Sequence, residues 1–266
     1  MGTRINEYPN ATALSGSDRF IVDGAAGTRS VAVSGFIDVL GKGLGSYGNV
    51  SLRNTVIRGN SLGTSFTNSQ KNAIKNGSFD DLFLGDYWVD SLGTQWIIAG
   101  FNHFSPANKN SVVLVCGTSY AFGIAPQDDY AASPLRAAIK NRYGSALTSI
   151  FGASSLWSES FRTSSFVKTI ALTDFLVELI PDGWLTTYAY SPPVANGEMW
   201  DNNVLPLFST GNGWRYLHDN STGEYWSWGM PNSAGMSTLY GNSGNIQHNF
   251  GNITGYGARP MCILAP

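Results

Sequence analysis

Three histidines, two cysteines and a few paired carboxylates are the residues here that could move protons, attack a substrate or hold a metal. His103, His218 and His248 lack the His-x-x-x-His or His-Glu-x-x-His spacing that sets two imidazoles on one helix face. Asp201, His218 and a serine can be composed into a triad, but there is no Gly-x-Ser-x-Gly elbow to expose the nucleophile. Asp80-Asp81, Asp128-Asp129 and the Glu198/Asp201 pair are the residue types of a glycosidase, whose two acids flank the scissile bond. Solvated loop acids and helix caps use the same residues. Gly41-Lys-Gly-Leu-Gly45 lacks the Gly-Lys-Ser/Thr ending and the preceding strand of a phosphate loop. Cys116 and Cys262 are too few for a disulfide framework or a structural zinc site, and each reads as a small buried hydrophobe. The expectation is a protein without catalytic, metal or cofactor chemistry.

Binding chemistry is better represented. Residues 225–256 hold almost no charge and consist largely of Asn, Ser, Gly, Tyr, Trp and Met. Rigid aromatic anchors among small hydrogen-bonding residues make an adaptable contact surface. On this reading Trp228, Met230, Asn232, Ser233, Met236, Tyr240, Asn242, Asn245, His248 and Asn249 form the exposed ligand-binding face. Trp226, Arg259 and Pro260 belong to the scaffold, with Arg259 tying loop carbonyls to a sheet. A purely structural loop is the alternative, but loops of this length are usually functional or disordered, and the aromatics argue against disorder.

The elements that must carry such a face follow from composition and pattern. Of 266 residues, 13% are charged and 13% aromatic, with 31 glycines and a net charge of −2. That balance has no basic excess for a nucleic-acid backbone. No apolar run approaches the ~20 residues of a membrane span, and the N-terminal stretch has no apolar signal-peptide core. A protein made in the cytoplasm and not classically exported is expected.

Residues 1–50 read as a separate small module: a hairpin from strands at 19–23 and 28–33, a serine-capped helix over 34–40, and a glycine-rich linker. Such a module buries too little alone and calls for symmetry mates or a docking partner. Residues 51–266 form the second domain. There Thr67 with Gln70 predicts a capping box opening a helix that Asn76-Gly77 stops. A hairpin is expected from 86–90 and 94–101, and a central strand from 111–116. Ser133 and Pro134 open a helix with Leu135, Ile139 and Tyr143 inward, which Gly144 is expected to end. Residues 166–172 suggest a strand and 173–179 a turn or short helix. The fold class is α+β with long loops.

Several motifs carry a resemblance. Gly255-Tyr-Gly-Ala-Arg-Pro-Met-Cys-Ile-Leu264 resembles the Gly-x-Arg-Pro terminus of bacterial and phage C-type-lectin-fold domains, including their formylglycine-generating-enzyme-like branch. Glu224-Tyr-Trp-Ser-Trp228, Leu179-Ile-Pro-Asp-Gly-Trp184 and Ser133-Pro-Leu-Arg136 are similar to that family's preceding strand, pre-loop turn and helix. Arg58-Gly-Asn-Ser-Leu-Gly-Thr-Ser-Phe-Thr67 and Phe79-Asp-Asp-Leu-Phe-Leu-Gly-Asp-Tyr-Trp88 look like segments of phage-encoded proteins. The N-terminal Ile5-Asn-Glu-Tyr-Pro9 and Asp18-Arg-Phe-Ile-Val-Asp23 resemble a leader of phage tail fibres, which docks on the virion and is commonly trimeric.

Variable proteins of diversity-generating retroelements place a diversified, Asn/Tyr/Ser-rich stretch before this same terminus. Residues 226–254 would be that stretch here. The resemblance implies a homotrimeric virion adhesion protein that binds a host-cell receptor, protein or glycan. Its N-terminal module would join other tail proteins, with neither nucleic acid nor membrane insertion involved. A tail-borne glycan hydrolase using Glu198 and Asp201, or a structural decoration protein, are the alternatives. The chain departs from calcium-dependent lectins, having Met230-Pro-Asn232 where they carry Glu-Pro-Asn, and Trp200-Asp-Asn202 upstream of it in reversed order. Methionine cannot replace the hard carboxylate that calcium requires.

Overall fold

The computed structural model describes residues 19–22, 29–32, 54–104, 109–124, 130–159, 161–164, 169–172, 174–181, 184, 204–209, 224–226, 236–240, 245–249 and 257–266. Two short strands come first, β1 (Arg19–Val22) and β2 (Arg29–Ala32), paired antiparallel with Phe20 opposite Val31. This is the expected hairpin; the helix predicted over 34–40 and the glycine-rich linker lie outside the described residues.

Helix α1 (Asn68–Lys75) starts where the sequence pattern placed it. Thr67 Oγ1 accepts from the Gln70 N–H at 3.2 Å, and Gln70 Oε1 accepts from the Thr67 N–H at 2.9 Å. The same Gln70 oxygen accepts from Trp88 Nε1 at 3.3 Å, so the cap also anchors a buried indole. Thr67→Ala is expected to cost about 1 kcal/mol, read as a lower urea midpoint with unchanged slope.

The core is a five-stranded sheet in the order β3 (Tyr87–Val89), β4 (Gln95–Phe101), β5 (Val112–Cys116), β13 (Pro260–Leu264), β8 (Glu178–Leu179). Strands β3 (Tyr87–Val89) and β4 (Gln95–Phe101) form the expected hairpin, joined at Asp90, whose carboxylate accepts from the Leu92 and Thr94 N–H groups and from Trp96 Nε1. Strand β5 (Val112–Cys116) is buried at every residue, as a continuous apolar run predicts for a central strand. Cys116 is buried with it.

Helix α2 (Pro134–Phe151) is capped by Ser133, whose Oγ accepts from the Arg136 N–H at 3.1 Å. It does not end at Gly144. Its inward stripe continues in steps of four, with Leu135, Ile139, Tyr143, Leu147 and Phe151 all buried. Gly144 serves close packing instead, because a Cβ there would lie 3.3 Å from Leu176 Cδ2. The helix stops at Gly152, where φ is 76°. Trp88 and Trp96 are directly paired and so share the sheet face that α2 covers. Their rings meet Phe151 and Tyr143 edge-on at 5.4 and 5.5 Å.

Strands β6 (Phe161–Ser164) and β7 (Thr169–Leu172) pair as a separate ribbon. Residues 178–179, expected in a turn or short helix, are instead strand β8 (Glu178–Leu179), which closes the core sheet against its last strand. The reason is local: Val177, Leu179 and Ile180 are fully buried, and only an extended chain can place them in the sheet layer. A short helix α3 (Pro206–Ser209) packs on β4, where a Cβ on Gly100 would come within 3.0 Å of Pro206 Cδ. Strands β9 (Glu224–Trp226), β10 (Met236–Tyr240), β11 (Asn245–Asn249) and β12 (Gly257–Ala258) make a four-stranded sheet in the order β11-β10-β9-β12. Strand β13 (Pro260–Leu264) then enters the core antiparallel to both β5 and β8. The protein is thus α+β; among the described residues its strands pair antiparallel except for β12 against β9, and the isolated bridges Ile57–Leu84 and Ser61–Tyr87 are parallel. No helix among the described residues is long and apolar enough to cross a membrane.

Candidate functional site

The four-stranded sheet is where the expected ligand residues can be placed. Its β10–β11 pair runs in unbroken register, Met236 with Asn249, Ser237 with His248, Thr238 with Gln247, Leu239 with Ile246 and Tyr240 with Asn245. Neither strand holds an Asp, Glu, Lys or Arg. Met236, Tyr240, Asn245, His248 and Asn249 of the expected face stand on these two strands, and Trp226 is level with Thr238 on the neighbouring strand. Trp228, Met230, Asn232, Ser233 and Asn242 lie outside the described residues. So do Glu198, Asp201 and His218 of the hydrolase alternative, and Asp128-Asp129.

The sheet joins the core over three residues. Ala258 is level with Trp226 across β9 and forms a two-way bridge with Tyr120 on its other side, both N–H···O distances being 2.9 Å. Arg259 follows, 1% exposed, and its Nε donates to the Cys116 carbonyl at 2.6 Å. Its guanidinium carbon lies 5.8 Å from the Phe208 ring centroid. A buried arginine needs acceptors, and one of them here is the last carbonyl of β5. Arg259 therefore ties the base of the four-stranded sheet to the central strand. Pro260, buried and level with Leu179, opens β13.

Two buried ion networks brace the two edge strands of the core sheet. Glu178 on β8 has no solvent exposure. It accepts from Tyr130 Oη at 2.9 Å and from Arg136 Nε and Nη2 at 3.0 and 2.8 Å. Asp174 bridges Arg136 and Lys140, at 2.8 Å from each. Burial pushes the Tyr130 hydroxyl well above its ordinary range, and the Glu178 charge adds to this. Burial alone would lower the Arg136 pKa, but its bonds to Glu178 and Asp174 outweigh that and raise it. Hydrogen bonds from Lys140 and then Arg136 hold the Asp174 carboxyl at about 2. The second network joins Arg58 to Asp86, itself fully buried, and to Asp81. Burial raises the Asp86 pKa against the pull of Arg58. Asp86 also accepts from the Asn60 and Phe83 N–H groups at 2.9 and 3.0 Å, so it organises a loop.

These contacts also settle how the described carboxylate pair Asp80-Asp81 is used: Asp80 accepts from Ser78 Oγ at 2.9 Å and Asp81 pairs with Arg58. Burial drives the Cys262 thiol well above its ordinary range, with Cys116 adding to it, and both cysteines are buried free thiols. No group of three or more His, Cys, Asp or Glu side chains converges as a metal-ligand set among the described residues. The one sequence signal for the Glu178 network was Arg136 with Lys140, four residues apart on a helix; their partners stand some forty residues away. No protein-family model, curated protein or solved structure matches the chain.

Proposed function

We propose that this protein is a receptor-binding protein of a phage virion, in which a C-type-lectin-type domain presents a metal-independent face for host attachment. The observation that carries the reading is the β10–β11 pair, an uncharged sheet surface rich in Asn, Gln, Ser and Thr with Tyr240 and Met236, held on a junction made rigid by Arg259. Neutral amides and hydroxyls around aromatic anchors discriminate ligands by hydrogen bonding and stacking without metal or covalent chemistry. A fixed base under a variable-composition face is also what the resemblance to variable proteins of diversity-generating retroelements implies. The N-terminal module, whose β1–β2 ribbon is too small to be stable alone, would attach to other tail proteins and form the homotrimer. Three copies supply avidity, so each site can be weak.

The test is competition. Purified full-length protein, added to host cells before the phage that encodes it, is expected to block adsorption. The Tyr240→Ala/Asn245→Ala double variant is expected to need roughly ten-fold more protein or worse, with an unchanged melting curve. Wild-type protein that fails to compete, or a double variant as potent as wild type, would falsify the reading.

A further inference from the structure

Arg142 differs from the other arginines whose side chains are described. Arg58 is held by Asp86 and Asp81, Arg136 by Glu178 and Asp174, and Arg259 by a main-chain carbonyl. Arg142 has no carboxylate or carbonyl partner among the described residues, and its Nε is buried without a hydrogen bond. Two tyrosines hold it: its guanidinium carbon lies 3.6 Å from the Tyr120 ring centroid and 5.3 Å from that of Tyr143, whose hydroxyl accepts a hydrogen bond from it. Phe122 meets Tyr120 edge-on at 4.9 Å, completing the cluster.

Tyr120 is one of the few large hydrophobic side chains exposed among the described residues, at 41%. It is also among the best placed, because its own N–H and C=O are both bonded to Ala258. That bridge extends the four-stranded sheet by one residue. Gln247, Thr238, Trp226, Ala258 and Tyr120 stand level across it, over four strand spacings of about 4.8 Å each. Tyr120 therefore stands in register with the strands that carry Met236, Tyr240, Asn245 and Asn249.

We propose that Tyr120 and Arg142 form a fixed subsite for a carboxylate-bearing sugar at the margin of this face. The chemistry is complementary: a tyrosine ring stacks on the C–H face of a pyranose, and a guanidinium already stacked and lacking an anion takes a carboxylate through paired N–H donors. The flanking exposed residues, Thr118, Ala121 and Gly123, are small and offer a sugar ring an unobstructed platform but no pocket for a peptide side chain. The inference rests on the receptor-binding reading and names its ligand class.

The experiment measures binding of the full chain to immobilised oligogalacturonate and sialyllactose, against neutral galacto-oligosaccharide and lactose. Expected is retention on an acidic probe, weakening with salt, and reduced roughly ten-fold or more by Arg142→Gln or Tyr120→Ala. Arg142→Lys keeps the charge but loses the planar fork, and is expected to fall between; melting curves of all variants control for folding. Equal retention of acidic and neutral probes, preference for an acidic peptide such as oligoglutamate, or no loss in Arg142→Gln overturns the subsite while adsorption competition by wild type still stands. No retention together with no competition for adsorption overturns both readings.

Discussion

Replacing Arg136 with alanine is expected to remove about 3–5 kcal/mol of stability, the cost of leaving a buried charge without its partner. Glu178 is wholly enclosed, and Arg136 supplies its two closest charged donors; after the substitution only the Tyr130 hydroxyl and the more distant Lys140 ammonium, 3.4 Å away, remain. Urea unfolding measures the loss directly. Glu178→Gln in the Arg136→Ala background removes the orphaned charge and is expected to restore part of it, so strict additivity of the two changes would contradict the pairing. The network also has an acid limb. The Asp174 carboxyl is held at about 2 in the folded protein, below the ~3.9 of an unfolded chain. A depressed carboxylate stabilises fully above the unfolded value and loses its contribution as pH falls through the folded one. The wild type should therefore lose stability between about pH 4 and pH 2, and Arg136→Ala should lose less over that window, because one of the two cations holding Asp174 is gone.

Arg259→Met should separate the two sheets energetically. The substitution keeps a long side chain at the junction but takes the donor from the Cys116 carbonyl, an unmade bond worth about 1–3 kcal/mol. Amide exchange in β9, β10 and β11 is expected to quicken by roughly ten- to a hundred-fold, while β4 and β5 keep their protection. Cell adsorption should fall with it, although no residue of the proposed face has changed. Unchanged exchange across Glu224–Trp226 and Asn245–Asn249 would show that the junction is held by the Tyr120–Ala258 bridge alone.

Local patterns carried most of the fold. The Thr67 capping box, the Asp90 turn, the all-apolar β5 and the i, i+4 stripe of α2 are decided by neighbours in sequence, and each element starts where its residues say. Gly144 misled because glycine has two uses, ending a helix and admitting a neighbour, and only the position of Leu176 distinguishes them. Strand β8 was hidden because two residues have no periodicity; its strand character comes from pairing with Pro260 and Met261 more than eighty positions downstream. The same distance conceals the Glu178 network. Of the candidate face, the sequence showed composition and order, and the structure adds the register that pairs Met236 with Asn249, Ser237 with His248 and Tyr240 with Asn245. Tyr120 and Arg142 were invisible beforehand, since nothing local distinguishes a stacked arginine without an anion from a solvated one.

The placement of β13 has a consequence for how mistakes in the gene are handled. This strand lies downstream of residues 226–254, yet it sits inside the core sheet between β5 and β8. A stop codon or frameshift anywhere in the candidate face deletes or scrambles it, leaving β5 with an open edge and Val113 and Leu114 without their cover. Such a product cannot assemble its core and is left to proteases. Amino-acid replacements in the same stretch leave β13 intact. The architecture thus couples the reading frame of residues 226–254 to the integrity of the core, tolerating new side chains there while discarding truncated copies.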